Sequence, residues 1–263
     1  MHRVEPNLHL VAHTSIDDEG LKAYLEEIGA PDWATDAPSD VEEIVEVMGR
    51  ECYRAFGVDL NENITRVREG NAPYLLNILS SGHGSVLQHS WVSFMFTNVS
   101  RVLTHELVRH TAGTAVSQES LRYVRLNDLG LWIPSCFADN PKAVEVFERA
   151  WRQAEENYME LLSYEVLGED IDQDVFGRKK ELTSAARRVS PIGLATSIGW
   201  SCNIRALRNV IEQRTSRYAE EEVRLLFNKV ADLVIEVYPN LFGDYNQESI
   251  NGYTEFTTPY RKV

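Results

Sequence analysis

Cysteine is scarce in this 263-residue chain, and its three copies, Cys52, Cys136 and Cys202, form no CxxC pair. That spacing excludes a disulfide framework and a cysteine zinc site, and leaves each thiol to be read as a buried, reduced side chain. Long apolar runs are missing too. The stretches Trp91 to Phe96 and Leu233 to Val237 fall far short of the roughly 20 residues that span a bilayer, so no transmembrane helix is expected. The N-terminus has no apolar core behind a basic start; it carries Glu5, His9, His13 and the acidic run Asp17 to Glu19. A signal peptide is therefore not expected, and the reading is cytoplasmic. Positive charge is short as well. Lys and Arg number 26 against 40 Asp and Glu, a formal charge of −14, which opposes nonspecific binding to nucleic acid or to an anionic membrane. No GxGxxG or GxxxxGK[ST] phosphate loop occurs, and no GxSxG elbow or HExxH helix.

What is present is enough apolar content, 43%, for the core of one elaborated domain covering residues 1–263. The patterning predicts a strand at 7–13, helices at 20–28, 41–56 (capped by Ser39), 61–70 and 71–81, and a surface loop at 30–39. Trp91 to Asn98 reads as a strand with Val92, Phe94 and Phe96 on one side, and Ser100 as the cap of a helix running towards His110. Residues 111–120 read as a loop, 121–132 as a strand, 141–167 as an amphipathic helix, and 181–189 as a helix stopped by Pro191. From Thr196 to Val237 the pattern is helical, with Leu226, Val230, Leu233 and Val237 as its core stripe. Helices with a small, mostly antiparallel sheet make the fold class α+β.

The chemistry-bearing residues are unevenly spread. Arg101, Arg109, Arg122 and Arg125 crowd one segment; Arg187, Arg188, Arg205, Arg208, Arg214 and Arg217 crowd another. On an acidic chain such islands are either pockets for small anions, phosphates above all, or solvated helix faces paired with Glu, as Arg217 with Glu221. His105 and His110 are separated by about 140° around a helix, which does not suit a shared metal ion, and no metal site is expected. Glu106, Arg109 and His110 have the spacing of one face at a helix end, bringing carboxylate, guanidinium and imidazole together. Ser117, Gln118, Ser120 and Arg122 follow on a segment where turn polars are the plain alternative. Asn203 and Arg214, eleven residues apart, share one face of the predicted helix.

HELVRH (105–110) followed by SQESLRY (117–123) resembles the RHR-then-serine signature of the flavin-dependent thymidylate synthase family. Thr111 replaces the third arginine of that signature, and one extra residue follows it. SGHGSVLQH (81–89), ARRVSP (186–191) and NIRALRNVIEQR (203–214) are similar to other family elements, in family order, so the likeness covers roughly residues 75–225. The resemblance implies an α+β fold of that type and methylation of C5 of a uracil nucleotide, dUMP to dTMP, with FAD, methylene-tetrahydrofolate as one-carbon donor and NADPH as reductant. It implies nucleotide contacts from Glu106, Arg109, Gln118, Ser120, Arg122, Arg187 and Arg214, with Arg214 the catalytic cation and Arg122 the phosphate ligand. FAD contacts are implied for Ser85, Arg109, His110, Gln118, Asn203, Arg205 and Asn209. A homotetramer is implied as well. Arg188 and Arg217 are candidates to replace the cation that Thr111 lacks. The altered motif leaves two further readings: a UMP C5 methylase of nucleoside-antibiotic biosynthesis, and a flavin- or nucleotide-binding homologue without turnover.

Overall fold

The computed structural model describes residues 1–124, 126, 128–163, 175–250, 252–261 and 263. Arg125 and the 164–167 end of the long predicted helix lie outside the described residues. In chain order the elements are β1 (His2–Arg3), β2 (Asn7–His13), α1 (Asp18–Ile28), α2 (Asp40–Glu51), α3 (Asn71–Ser81), β3 (Trp91–Ser100), α4 (Arg101–Leu107), β4 (Thr114–Gln118) and β5 (Gly130–Leu131). There follow α5 (Ser135–Ala138), α6 (Pro141–Ser163), α7 (Val175–Ala186), β6 (Ala195–Asn203), α8 (Ile204–Arg214), α9 (Glu221–Val237), α10 (Pro239–Phe242), β7 (Asn246–Ile250) and β8 (Tyr253–Thr257). Helices dominate and the class is α+β. One sheet has the order β2-β3-β6-β4, β1 pairs with β5 in parallel, and β7 with β8 form an antiparallel hairpin.

The chain divides into two compact units. The first comprises Met1–Asn7, Met95–Arg109 and Val116–Gly199, and the second Leu8–Phe94, His110–Ala115 and Trp200–Val263.

The core of the first unit is Leu121, Leu126, Leu129, Leu131 and Ile133 packed with Trp151, Ala154, Tyr158, Ala186 and Leu194. The strand expected at 121–132 is mostly absent from it. Tyr123 N and Val124 N both donate to the Ser120 carbonyl at 3.0 Å, turning the chain, and among the described residues of the segment only Gly130 and Leu131 pair with a neighbouring strand. The leucines of this segment are buried one by one instead of on alternate sides. The Trp151 indole closes over it, donating to the Gly130 carbonyl at 3.0 Å. Thr114–Gln118, expected as loop, forms β4, and Glu119 N donates to the Ser197 carbonyl at 2.9 Å.

In the second unit the local signals hold where they name their own partners. The Asp17 side chain caps α1 by accepting from Gly20 N at 3.0 Å. Gly82 closes α3 at φ 77°, a left-handed conformation that glycine adopts without a Cβ clash. Ser39 occupies the cap position of α2, but its hydroxyl donates to Glu42 Oε2 at 2.7 Å. The predicted helix at 61–70 does not form, and α2 stops at Glu51. The Arg50 guanidinium, buried against Glu46 at 2.6 Å, takes the carbonyls of Ala55 and Arg68 at 2.9 and 2.8 Å. Residues 195–203 also depart from expectation, forming β6 in place of helix. Ile198, Trp200 and Cys202 alternate as buried residues, a period of two that polar and small neighbours disguise. The stripe of α9 is rotated from the one predicted: Val223, Leu226, Phe227, Val230, Ala231 and Val234 are buried, while Leu233 and Val237 are only half-buried.

Candidate functional site

The first unit carries most of the residues expected to hold a nucleotide. Ser100 Oγ accepts from Leu103 N at 3.1 Å and caps α4, fixing the start of a helix that ends at Leu107. Beyond it, Glu106 and Arg109 remain together, with Arg109 Nη1 lying 3.4 Å from both Glu106 oxygens on an exposed surface. The third member of the expected face, His110, follows the end of the helix and belongs to the second unit. Gln118 donates from Nε2 to Thr104 Oγ1 at 3.0 Å, orienting its amide. Ser120 Oγ accepts from Arg122 N at 3.3 Å, a turn contact. Arg101 Nη2 donates to the Glu119 carbonyl at 3.2 Å. Burial, and next the Arg187 charge, lower the Arg101 pKa below its ordinary value, so the two guanidiniums lie within electrostatic reach of each other. Arg122 lines a cavity of about 350 Å³ together with Gly177, Lys180, Glu181, Ser184 and Arg188. The sequence reading names Arg101 only as a member of an arginine island and Lys180 not at all.

The second unit gathers His110 and most of the expected flavin contacts around α8. Asn203 is the last residue of β6 and the cap of α8, its Oδ1 accepting from Ala206 N at 2.8 Å. Arg214 is the last helical residue, so the pair stands at opposite ends of one helix, about 16 Å of axial rise apart. Arg214 Nε donates to His110 Nε2 at 2.7 Å. Asn203 N donates to the Gly113 carbonyl at 2.9 Å. The stretch 110–113, with Thr111 exposed, is thus tied to both ends of α8. Gly113 has φ 68°, and a Cβ there would stand 2.9 Å from Asn203 Cγ, so only glycine fits.

The turn before β3 meets the same helix. A Cβ on Gly84 would lie 2.8 Å from Arg205 Nε, so the backbone just before Ser85 runs against the Arg205 side chain. Arg205 and Asn209 are one turn apart, and Gln213 Nε2 donates to Asn209 Oδ1 at 2.9 Å. An exposed hydroxyl, an exposed amide and a half-buried guanidinium make a donor set suited to the phosphates and ring carbonyls of a dinucleotide such as FAD. Cys202 is buried, and burial pushes its thiol well above the ordinary range, away from nucleophilic use. Cys52 and Cys136, expected to be buried, are exposed. Arg217 pairs with Glu255 at 2.7 Å and Glu248 at 3.6 Å, not with Glu221, and is committed to the β7–β8 hairpin. No group of three or more metal-ligating side chains and no helix fit to cross a membrane is found among the described residues.

This helix-rich α+β fold is shared with solved structures. The UMP/dUMP methylase PolB from Streptomyces cacaoi, bound with 5-Br dUMP, superposes with a TM-score of 0.61 at 17% identity over 92% of this chain and 96% of that one. The flavin-dependent thymidylate synthase ThyX from Helicobacter pylori, complexed with FAD and dUMP, gives a TM-score of 0.57 at 20% identity over 92% and 99%. At such identities the likeness is one of fold. Sequence comparison is sharper. The flavin-dependent thymidylate synthases of Mycolicibacterium gilvum (strain PYR-GCK) and Mycobacterium tuberculosis (strain ATCC 25177 / H37Ra) are 35% and 34% identical over 236 and 241 residues. The alignments cover 88% and 90% of this chain and 91% and 93% of theirs. A model of thymidylate synthase complementing proteins matches residues 35–240, and the chain belongs to that family.

Proposed function

We propose that the chain is a flavin-dependent thymidylate synthase, an enzyme that methylates C5 of a uracil nucleotide, dUMP to dTMP. The observation that carries this reading is the hydrogen bond from Arg214 to His110, which joins two blocks 104 residues apart in sequence. His110 Nε2 accepts that bond. The contact steadies a guanidinium that never deprotonates. A cation so placed favours charge developing around N3 and O4 of a uracil ring, which makes C5 nucleophilic without a cysteine adduct.

The nucleotide ligands in this reading are Glu106, Arg109, Gln118, Ser120, Arg122, Arg187 and Arg214. The flavin ligands are Ser85, Arg109, His110, Gln118, Asn203, Arg205 and Asn209. Reduced FAD, when bound, supplies the hydride that completes the methyl group. Methylene-tetrahydrofolate is the one-carbon donor and NADPH the reductant of FAD. The working form is a cytoplasmic homotetramer that binds neither nucleic acid nor membrane, consistent with the charge of −14. We read the chain as a single domain, because each compact unit is stitched from three separate stretches of sequence.

The test is tritium release from C5-labelled dUMP and UMP by the flavin-loaded protein supplied with methylene-tetrahydrofolate and NADPH. Release from dUMP at a greater rate is the expected result. Preference for UMP would reassign the substrate to a ribonucleotide, and a yellow protein inert with both would leave only a binding role.

A further inference from the structure

Arg205, Arg208 and Glu212 recur at i, i+3 and i+7 on α8, the spacing of one helical face. The chain beyond β8 runs along that face in the second unit. Thr258, which is buried, is fixed first: its Oγ1 accepts from Arg208 Nη2 at 3.1 Å and donates to Asp244 Oδ2 at 2.5 Å. Tyr260 N donates back to the same hydroxyl oxygen at 3.0 Å. Arg261 Nε then pairs with Glu212 Oε1 at 2.7 Å. Val263 is buried as well, its N–H donating to the Tyr260 carbonyl at 3.3 Å, and it lies against the turn that precedes β3. A Cβ on Gly84 would stand 3.0 Å from the Val263 Cα, and 2.8 and 3.0 Å from Arg205 Nε and Cζ. Gly84, Arg205 and Val263 thus meet at one junction with no room for a methyl group. Among the described residues Arg205 has no hydrogen bond or ion pair of its own, so packing and not charge holds it there.

We propose that residues 258–261 and 263 form a strap that positions Arg205 and the Gly84–Ser85 turn for FAD, with Arg261 as its latch. The proposal rests on the reading of Ser85 and Arg205 as flavin ligands. It gives a role to a segment outside every motif block and outside residues 35–240, the span that matches the family model. The strap residues are positioning residues, acting through Arg205. A guanidinium on a flexible stem loses rotamer freedom when it grips a ligand, and backbone packed against its Nε and Cζ removes part of that freedom beforehand. Thr258 fixes one end of the strap through Arg208 and Asp244. The Arg261–Glu212 pair holds the other end on the helix that bears Arg205.

The experiment follows FAD release from the flavin-loaded protein on dilution, read as recovered flavin fluorescence, in the wild type, R261E, G84A, R205M and R205M/R261E. R261E is expected to weaken FAD about threefold, the scale of a solvent-exposed ion pair, and the charge swap E212R/R261E restores the affinity. G84A weakens it about tenfold, because the added methyl drives Arg205 and the strap apart. R205M weakens it about tenfold as well, and R261E adds nothing further in that background, since the strap acts through Arg205. At saturating FAD the urea midpoint of R261E moves no further than the lost flavin affinity requires. Unaltered FAD release in both R261E and G84A, with R205M still weakened, overturns the strap and leaves the enzyme reading standing. So does an R261E effect that persists undiminished beside R205M, or a midpoint that falls while FAD affinity is kept. R205M protein that holds FAD as the wild type does removes Arg205 from the flavin site, and the strap with it.

Discussion

Arginine does two different jobs in the two units, and the difference lies in what surrounds the guanidinium. In the second unit Arg208 is 1% exposed, its Nη groups met by Asp244 at 2.7 and 2.8 Å and by Thr258 Oγ1 at 3.1 Å, with the Leu241 carbonyl also accepting. Arg50 is enclosed in the same manner by Glu46 and two carbonyls. Such charges are internal fasteners, whose loss leaves a partner buried and uncompensated. In the first unit the cations of the cavity have no such carboxylate among the described residues, and an acidic protein that keeps them so has a use for anions there.

The comparison can be broken most directly at Asp244. Asp244→Ala strands the Arg208 charge and should cost about 3 to 5 kcal/mol of unfolding free energy in urea; a variant of wild-type stability would mean that the pair is not a fastener. Arg214→Ala should act on turnover and not on folding, lowering kcat by about 10² to 10³, or roughly 3 to 4 kcal/mol, with an unchanged urea midpoint. Arg122→Met should weaken dUMP binding by about 2 kcal/mol, the value of one charge-assisted contact. Its stability should stay within about 0.5 kcal/mol of wild type, since it leaves no buried partner behind.

Two smaller effects sharpen the contrast. Ser100→Ala removes the α4 cap and should cost about 1 kcal/mol, read as a shift in thermal midpoint. Glu255 is held below the usual carboxylate range, first by its hydrogen bond from Arg217. A depressed carboxyl contributes stability above its unfolded pKa and loses it as pH falls through the folded value. Glu255→Gln should therefore cost under about 1 kcal/mol at pH 7, and the gap from wild type should close on acidification. A gap that widens at low pH would contradict the assignment.

Legibility in the sequence followed the range of the interactions. Strand 7–13 and helix 71–81 were readable to the residue, because alternation, the opening at Asn71 and the stop at Gly82 are written within a few positions. The Ser100 cap was readable for the same reason. Helix 61–70 was not: the chain turns at Asn61, whose carbonyl accepts from Ile64 N and whose side chain accepts from Asn63 N, and the Arg68 carbonyl is taken by Arg50, 18 residues away. Strand 195–203 was misread as helix because alternate burial beside small residues gives an ambiguous period. Within the candidate site, the motif blocks named Arg122 and Arg214, but neither the His110 contact nor the cavity face through Lys180 could be read from either block alone. The face was present as a 177–180–184–188 spacing, without a sign of what it faced.

By itself the sequence determined the family, the α+β class and the residue types available for anion and flavin chemistry, since these follow from composition and from motifs whose spacing is local. Only the tertiary structure decided which arginines are fasteners and which line a cavity. A guanidinium carries the same charge in both places, and its role is set by whether folding brings a carboxylate within about 3 Å of it.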